Sequence, residues 1–189
     1  MTTSPRLHHV FLALLVASAT AWSAGGCAEP EMFDRAEGTS AESGTVVPPV
    51  EIDEDGVIAM AMNYKTMLQP LSDTPEESET HSDAAKVLVW GSPASASLFQ
   101  SIDPTNPLQD ISFPEGTLLV KEHFDEAGGY IGLTLMYKGP QGYHAEGRDW
   151  FWARVHRDEL THRGRVDFCL SCHIAAHNSD FVVGFGKSH

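Results

Sequence analysis

Cys169-Leu170-Ser171-Cys172-His173 constrains this chain more than any other stretch. C-x-x-C-H is the attachment motif of c-type haem, in which two thiols add across the porphyrin vinyl groups and the adjacent imidazole becomes the axial iron ligand. Two intervening residues on a short helical turn set both sulfurs and the ring along one edge of a flat macrocycle. The rest of the fold therefore has to leave a slot beside that turn. Zinc is the ordinary alternative for such a motif, but it needs a second Cys/His pair at comparable spacing. The chain has three cysteines, and the third belongs to a different feature.

That feature is the N-terminus. Residues 1–9 carry Arg6, His8 and His9, and residues 10–24 form an uncharged apolar run followed by Gly25, Gly26 and Cys27. The run is short for a bilayer span and reads as a signal peptide over residues 1–26. Ala24-Gly25-Gly26-Cys27 matches a bacterial lipobox, apart from its first position, and makes Cys27 the lipidated N-terminus of an exported chain. Cleavage nearby without lipidation, giving a soluble periplasmic protein, is the alternative. With Cys27 lipidated and Cys169 and Cys172 on haem, no thiol is left for a disulfide.

Loss of the leader removes Arg6, leaving 11 basic against 26 acidic residues, a net charge of −15. Such a surface excludes nucleic acid as a partner and suits a basic redox partner. Nine of the acids fall between residues 28 and 55, with Ser, Thr, Gly and Pro48-Pro49 but few apolar side chains. This composition reads as a tether over residues 27–55 between the lipid and a folded domain at 56–189. The acidic stretch 73–83 reads as a solvated loop.

Within the domain, apolar spacing predicts a helix over 56–68 (GVIAMAMNYKTML), whose Met60, Met62 and Met67 are core candidates. KVLVW (86–90) reads as a strand, and 94–100 as a short helix capped near Ser92. Segments 116–124, 130–138 and 149–155 are β-branched or aromatic runs separated by the turns 126–129 and 139–142. Connections this short favour antiparallel pairing. Beyond the haem motif a short helix over 174–177 and a last strand over 181–185 (FVVGF) are expected. The fold class is α+β, a predominantly antiparallel sheet with short helices. The last methionine, Met136, precedes the motif, and only sixteen residues follow His173. A downstream methionine ligand is thus missing, so the sixth iron position is open or filled from upstream, and a plain electron carrier is disfavoured.

KVLVW, FPEGTLLVKE (113–122), YIGLTLMYK, DWFW, CLSCH and SDFVVGF, in this order over most of residues 63–185, resemble the cytochrome P-460 family, which includes the cytochromes c′-beta. The resemblance implies an antiparallel β domain, commonly a homodimer, holding one haem c per chain with an open distal face. Cytochrome P-460 oxidises hydroxylamine and has a lysine cross-linked to its haem, whereas cytochromes c′-beta lack the cross-link and bind nitric oxide in an apolar pocket. Lys121 falls at the cross-linking position as the VKE segment aligns. By strand alternation Leu119, Lys121 and His123 share one face, while Leu118, Val120 and Glu122 share the other. Taken alone, a strand lysine is ordinarily a surface residue.

The candidate set is therefore Lys121 as cross-link, Cys169, Cys172 and His173 as haem attachment, His173 as iron ligand, and Cys27 as lipid site. His81, His123, His144, His156, His162 and His177 are candidate distal ligands or proton carriers, with an ordinary hydrogen-bonded imidazole as the alternative. Asp167 is a candidate proton acceptor or a plain surface acid. Phe99, Phe113, Trp150, Phe151 and Trp152 line a haem pocket or fill the core. The expected partners are a small nitrogen compound, a periplasmic redox protein and, through the lipid, a membrane. No residue stands out as the distal acid.

Overall fold

The computed structural model describes residues 49–78, 81 and 83–185. The segments expected to be a signal peptide and most of the acidic tether, with Cys27, lie outside the described residues. Seven strands form one antiparallel sheet: β1 (Gln69–Pro70), β2 (Glu76–Glu77), β3 (Lys86–Gly91), β4 (Leu118–Phe124), β5 (Tyr130–Lys138), β6 (Trp150–His156) and β7 (Glu159–Gly164). The spatial order is β1-β3-β4-β5-β6-β7, with β2 also paired to β3.

Register turns this sheet into a grid. One transverse row runs Val89, Lys121, Thr134, Arg154, His162 across β3 to β7. The next row, two residues along, runs Gly91, Leu119, Met136, Trp152, Gly164. On the other side of the first row, Val87 pairs with His123, His123 with Gly132, and Gly132 with His156. Because side chains alternate along each strand, all three rows present one face of the sheet. That face, with Phe99, Phe113, Trp150, Phe181 and Val182, makes one core. The opposite face, with Val120, Leu133, Leu135, Phe151 and Val155, packs on the first two helices as a second core.

The helices are placed by their caps. Asp53 accepts from Gly56 N at 3.0 Å and starts α1 (Glu54–Met62), whose first turn carries Glu54 and Asp55 where the helix dipole favours acids. The single helix expected over 56–68 is broken at Asn63, which caps α1 and opens a short α2 (Tyr64–Met67). Val50 and Ile52 pack against the second core, and Arg165 donates to the Val50 carbonyl at 2.9 Å. Ser92 accepts from Ser95 N at 3.2 Å ahead of Pro93, the first residue of α3 (Pro93–Ser101).

Two expectations change. Residues 181–185 form no strand: Asp180 and Phe181 are both left-handed, and the chain turns there instead of pairing with a sheet edge. A strand absent from the sequence reading, β7, fills the β6 edge through a hairpin whose turn residues Arg157 and Asp158 have φ of 47° and 67°. Such left-handed two-residue turns usually announce themselves with Asn-Gly or Asp-Gly.

Candidate functional site

Between the grid face of the sheet and α4 (Asp167–His173) lies a cavity open to solvent. Cys169, Cys172 and His173 line it from the helix side; Lys121, Thr134, Trp152, Arg154 and His162 line it from the sheet, and His81 from the loop before β3. The expected triplet of two thiols and an imidazole is thus gathered at one wall, and Lys121 stands in the same cavity. Val89, Leu119, Met136, Phe99 and Val182 make the remaining wall apolar.

His173 is oriented by a single bond. Its Nδ1 lies 2.7 Å from the carbonyl oxygen of Phe181. A carbonyl only accepts, so Nδ1 carries the proton and Nε2 keeps its lone pair free for a metal. Burial pushes this imidazole down to about 4, the Phe181 carbonyl working against that trend, so the ring is neutral at pH 7. The Trp152 ring meets it edge-on at 4.6 Å between centroids. Burial also raises the Cys169 thiol to about 11, which keeps it protonated.

Lys121 is pushed down to about 8 by burial. No carboxylate is among the described residues that line its cavity. His123 is 1 % exposed, lies 3.2 Å from Thr134 Oγ1 through Nε2, and packs at 4.8 Å between ring centroids on His81. Burial and then the Lys121 charge push both imidazoles down, His123 to about 4 and His81 to about 3. Behind them Arg154 Nη2 bonds Asp83, and His156 Nδ1 stands 3.1 Å from the same carboxylate oxygen.

The other sequence candidates disperse. His162 reaches the cavity and stacks on Phe168 at 5.8 Å. His144 is buried in the β5–β6 connection with its Nδ1 3.2 Å from the Trp150 carbonyl, and His177 and Asp167 are exposed. Of the aromatic set, Phe99 and Trp152 line the cavity, Phe113 and Trp150 sit in the core beside it, and Phe151 faces the opposite core. Arg154 and Thr134 were not singled out by the sequence reading. In DWFWARV, Trp150, Trp152 and Arg154 alternate onto one face, and an arginine continuing an aromatic face is the signal that marks it.

The family profile described as Cytochrome P460 matches residues 63–183. The chain belongs to the cytochrome P-460 family. Membership makes it a haem-binding cytochrome, and the cavity has the chemistry for that cofactor. Trp152 Nε1 and Arg154 Nε are buried without a hydrogen-bond partner among the described residues, which points to an acceptor brought by a bound group. A neutral imidazole, two thiols and an apolar wall complete a donor set suited to a flat, iron-bearing macrocycle with carboxylate substituents. A comparison with curated proteins gave no match.

Proposed function

We propose that this cytochrome P-460 relative is an exported, lipid-anchored protein carrying one haem c, and that it oxidises hydroxylamine or a related small nitrogen compound in the cavity. Lys121 carries this reading: an amine softened by burial, without a carboxylate partner, standing in the same cavity as the C-x-x-C-H helix. At a pKa of about 8 roughly a tenth of it is unprotonated at pH 7, against less than a thousandth of an ordinary lysine. That fraction is the nucleophile a cross-link requires; the new bond to the macrocycle releases two protons, and its two electrons pass to an external acceptor.

In this reading Cys169 and Cys172 form the thioether bonds and His173 offers Nε2 to iron. Haem bound there supplies a metal that takes electrons from the substrate and passes them to an external acceptor. The chain's own residues handle protons and access. His81 lines the cavity with His123 in ring contact with it, and this pair of imidazoles offers a path along which protons that a hydroxylamine loses can leave. Thr134 Oγ1 fixes the His123 ring, and the Asp83–His156 contact behind them leads away from the cavity. The acidic surface favours a basic periplasmic acceptor, and a homodimer is the expected assembly.

The apolar wall of Val89, Phe99, Leu119 and Met136 favours a second reading, a c′-beta-like protein that binds or detoxifies nitric oxide without turnover. The ferrous optical spectrum separates the two. A strongly red-shifted Soret band, lost in Lys121→Met together with hydroxylamine oxidation, supports the enzyme. An ordinary high-spin spectrum, unchanged in Lys121→Met, rejects the cross-link and leaves nitric oxide binding.

A further inference from the structure

Downstream of α4, two consecutive residues without glycine's freedom are held left-handed: Asp180 at φ 57°, ψ 37° and Phe181 at φ 65°. Aspartate tolerates this conformation, but a bulky phenylalanine there is an outlier that surrounding structure has to enforce. The enforcement is visible. The Asp180 carboxylate, 1 % exposed, receives Lys138 Nζ at 2.8 and 2.7 Å and the Phe113 N–H at 2.9 Å. Its main-chain carbonyl receives Trp150 Nε1 at 2.7 Å. Lys138 Nζ also donates to the Arg148 carbonyl at 2.7 Å and lies 5.0 Å over the Trp150 ring. Three segments, through Lys138, Phe113 and Trp150, thus converge on one aspartate, and the next carbonyl in the chain, that of Phe181, is the acceptor for His173 Nδ1.

We infer that the Lys138–Asp180 pair is a clamp that positions the Phe181 carbonyl against His173 and thereby sets how strongly that imidazole donates to iron. The inference rests on His173 being the axial ligand, as in the reading above. A strong Nδ1–H···O bond raises the basicity of Nε2, and partners of this kind typically change metal affinity or activity by about 10–100-fold. A more basic ligand favours ferric over ferrous iron. Asp180 and Lys138 touch neither cavity nor substrate in this arrangement; they are positioning residues.

The test is made on the holoprotein with Asp180→Asn, Lys138→Gln and Lys138→Arg. Two readouts are needed: the iron–histidine stretch in resonance Raman of the ferrous protein, and the midpoint potential. Asp180→Asn and Lys138→Gln are expected to lower the stretch and shift the ferric/ferrous ratio toward ferrous by roughly tenfold, about 59 mV for a one-electron couple. Lys138→Arg, which retains the charge, is expected to restore most of both. A turn that merely stabilises the fold loses stability in these variants without moving stretch or potential, and that result overturns the clamp. Should Asp180→Asn fail to fold, Lys138→Gln decides alone, since Lys138 remains partly solvent-exposed at 12 %. The ligand reading fails separately: an iron–histidine band that survives in His173→Ala shows that another residue holds the metal.

Discussion

His123 offers a quantitative check on how the cavity wall is built. Its ring is 1 % exposed, bonded to Thr134 and in tilted contact with His81, and it is pushed down to about 4 from the usual value of about 6.5. Desolvation is the leading cause, the Lys121 charge adds to it, and Asp83 opposes both. A depressed imidazole means that the unfolded chain binds more protons than the folded one between the two values, so stability falls as pH drops through that window. Using about 6.5 unfolded and about 4 folded, the loss between pH 7.5 and pH 5 is about 2 kcal/mol, and it levels off near 3 kcal/mol below pH 4. His123→Gln keeps an amide that can bond Thr134 and removes the titration. The assay is urea unfolding followed by tryptophan fluorescence, for both proteins across pH 4.5–8. His81, pushed down to about 3, slopes the same way and is present in both chains, so the difference reports His123 together with its coupling to His81. The wild-type advantage over His123→Gln is expected to shrink by about 2 kcal/mol from pH 7.5 to pH 5. Two parallel curves would refute the reasoning, because they would mean that water reaches the ring.

Three further outcomes follow from the same sheet. Gly132 has φ of 146°, and a Cβ there would collide with the Val155 carbonyl, so Gly132→Ala should cost at least about 2 kcal/mol in urea unfolding. Glu122, 2 % exposed on the face opposite Lys121, accepts from Lys65 at 2.6 Å and Trp90 Nε1 at 3.0 Å. Glu122→Leu should destabilise by roughly 2–4 kcal/mol while leaving the haem spectrum unchanged, and a shifted spectrum would contradict the separation of the two faces. Lys121, depressed to about 8, binds fewer protons folded than unfolded, so as a free amine it makes stability rise between pH 8 and 10.5; a cross-linked Lys121 does not titrate, and the rise disappears.

How much of this was legible in the sequence depended on the range of the signal. Alternation in GTLLVKEHF placed Leu119, Lys121 and His123 on one face, and the structure puts them in adjacent rows of the grid. The C-x-x-C-H turn is local chemistry and was readable directly. β7 was not, because its residues are mostly exposed and the Arg157-Asp158 turn lacks the glycine that marks left-handed hairpins. FVVGF was read as a strand from its β-branched composition, and the preceding Asp180 overrode it. Its carboxylate is drawn inward by Lys138, forty-two residues upstream, and no short-range pattern carries that information. Arg154 was missed for a related reason: its meaning comes from the row it joins, not from its neighbours in sequence.

Charge placement ties the fold to its cofactor. A chain with 26 acids against 12 bases has abundant carboxylate to pair with its cations, yet none is among the described residues lining the cavity. The two most deeply buried carboxylates are turned away from it and spoken for, Glu122 by Lys65 and Trp90 on the far face, Asp180 by Lys138 and the Phe113 amide. The Trp152 indole N–H and the Arg154 Nε–H, on residues that line this cavity with Lys121, have no hydrogen-bond acceptor among the described residues. Buried donors without acceptors cost on the order of 1–3 kcal/mol each, and an acceptor-rich, anionic group in the space relieves that cost. A haem, the cofactor that family membership implies, is such a group through its carboxylate side chains.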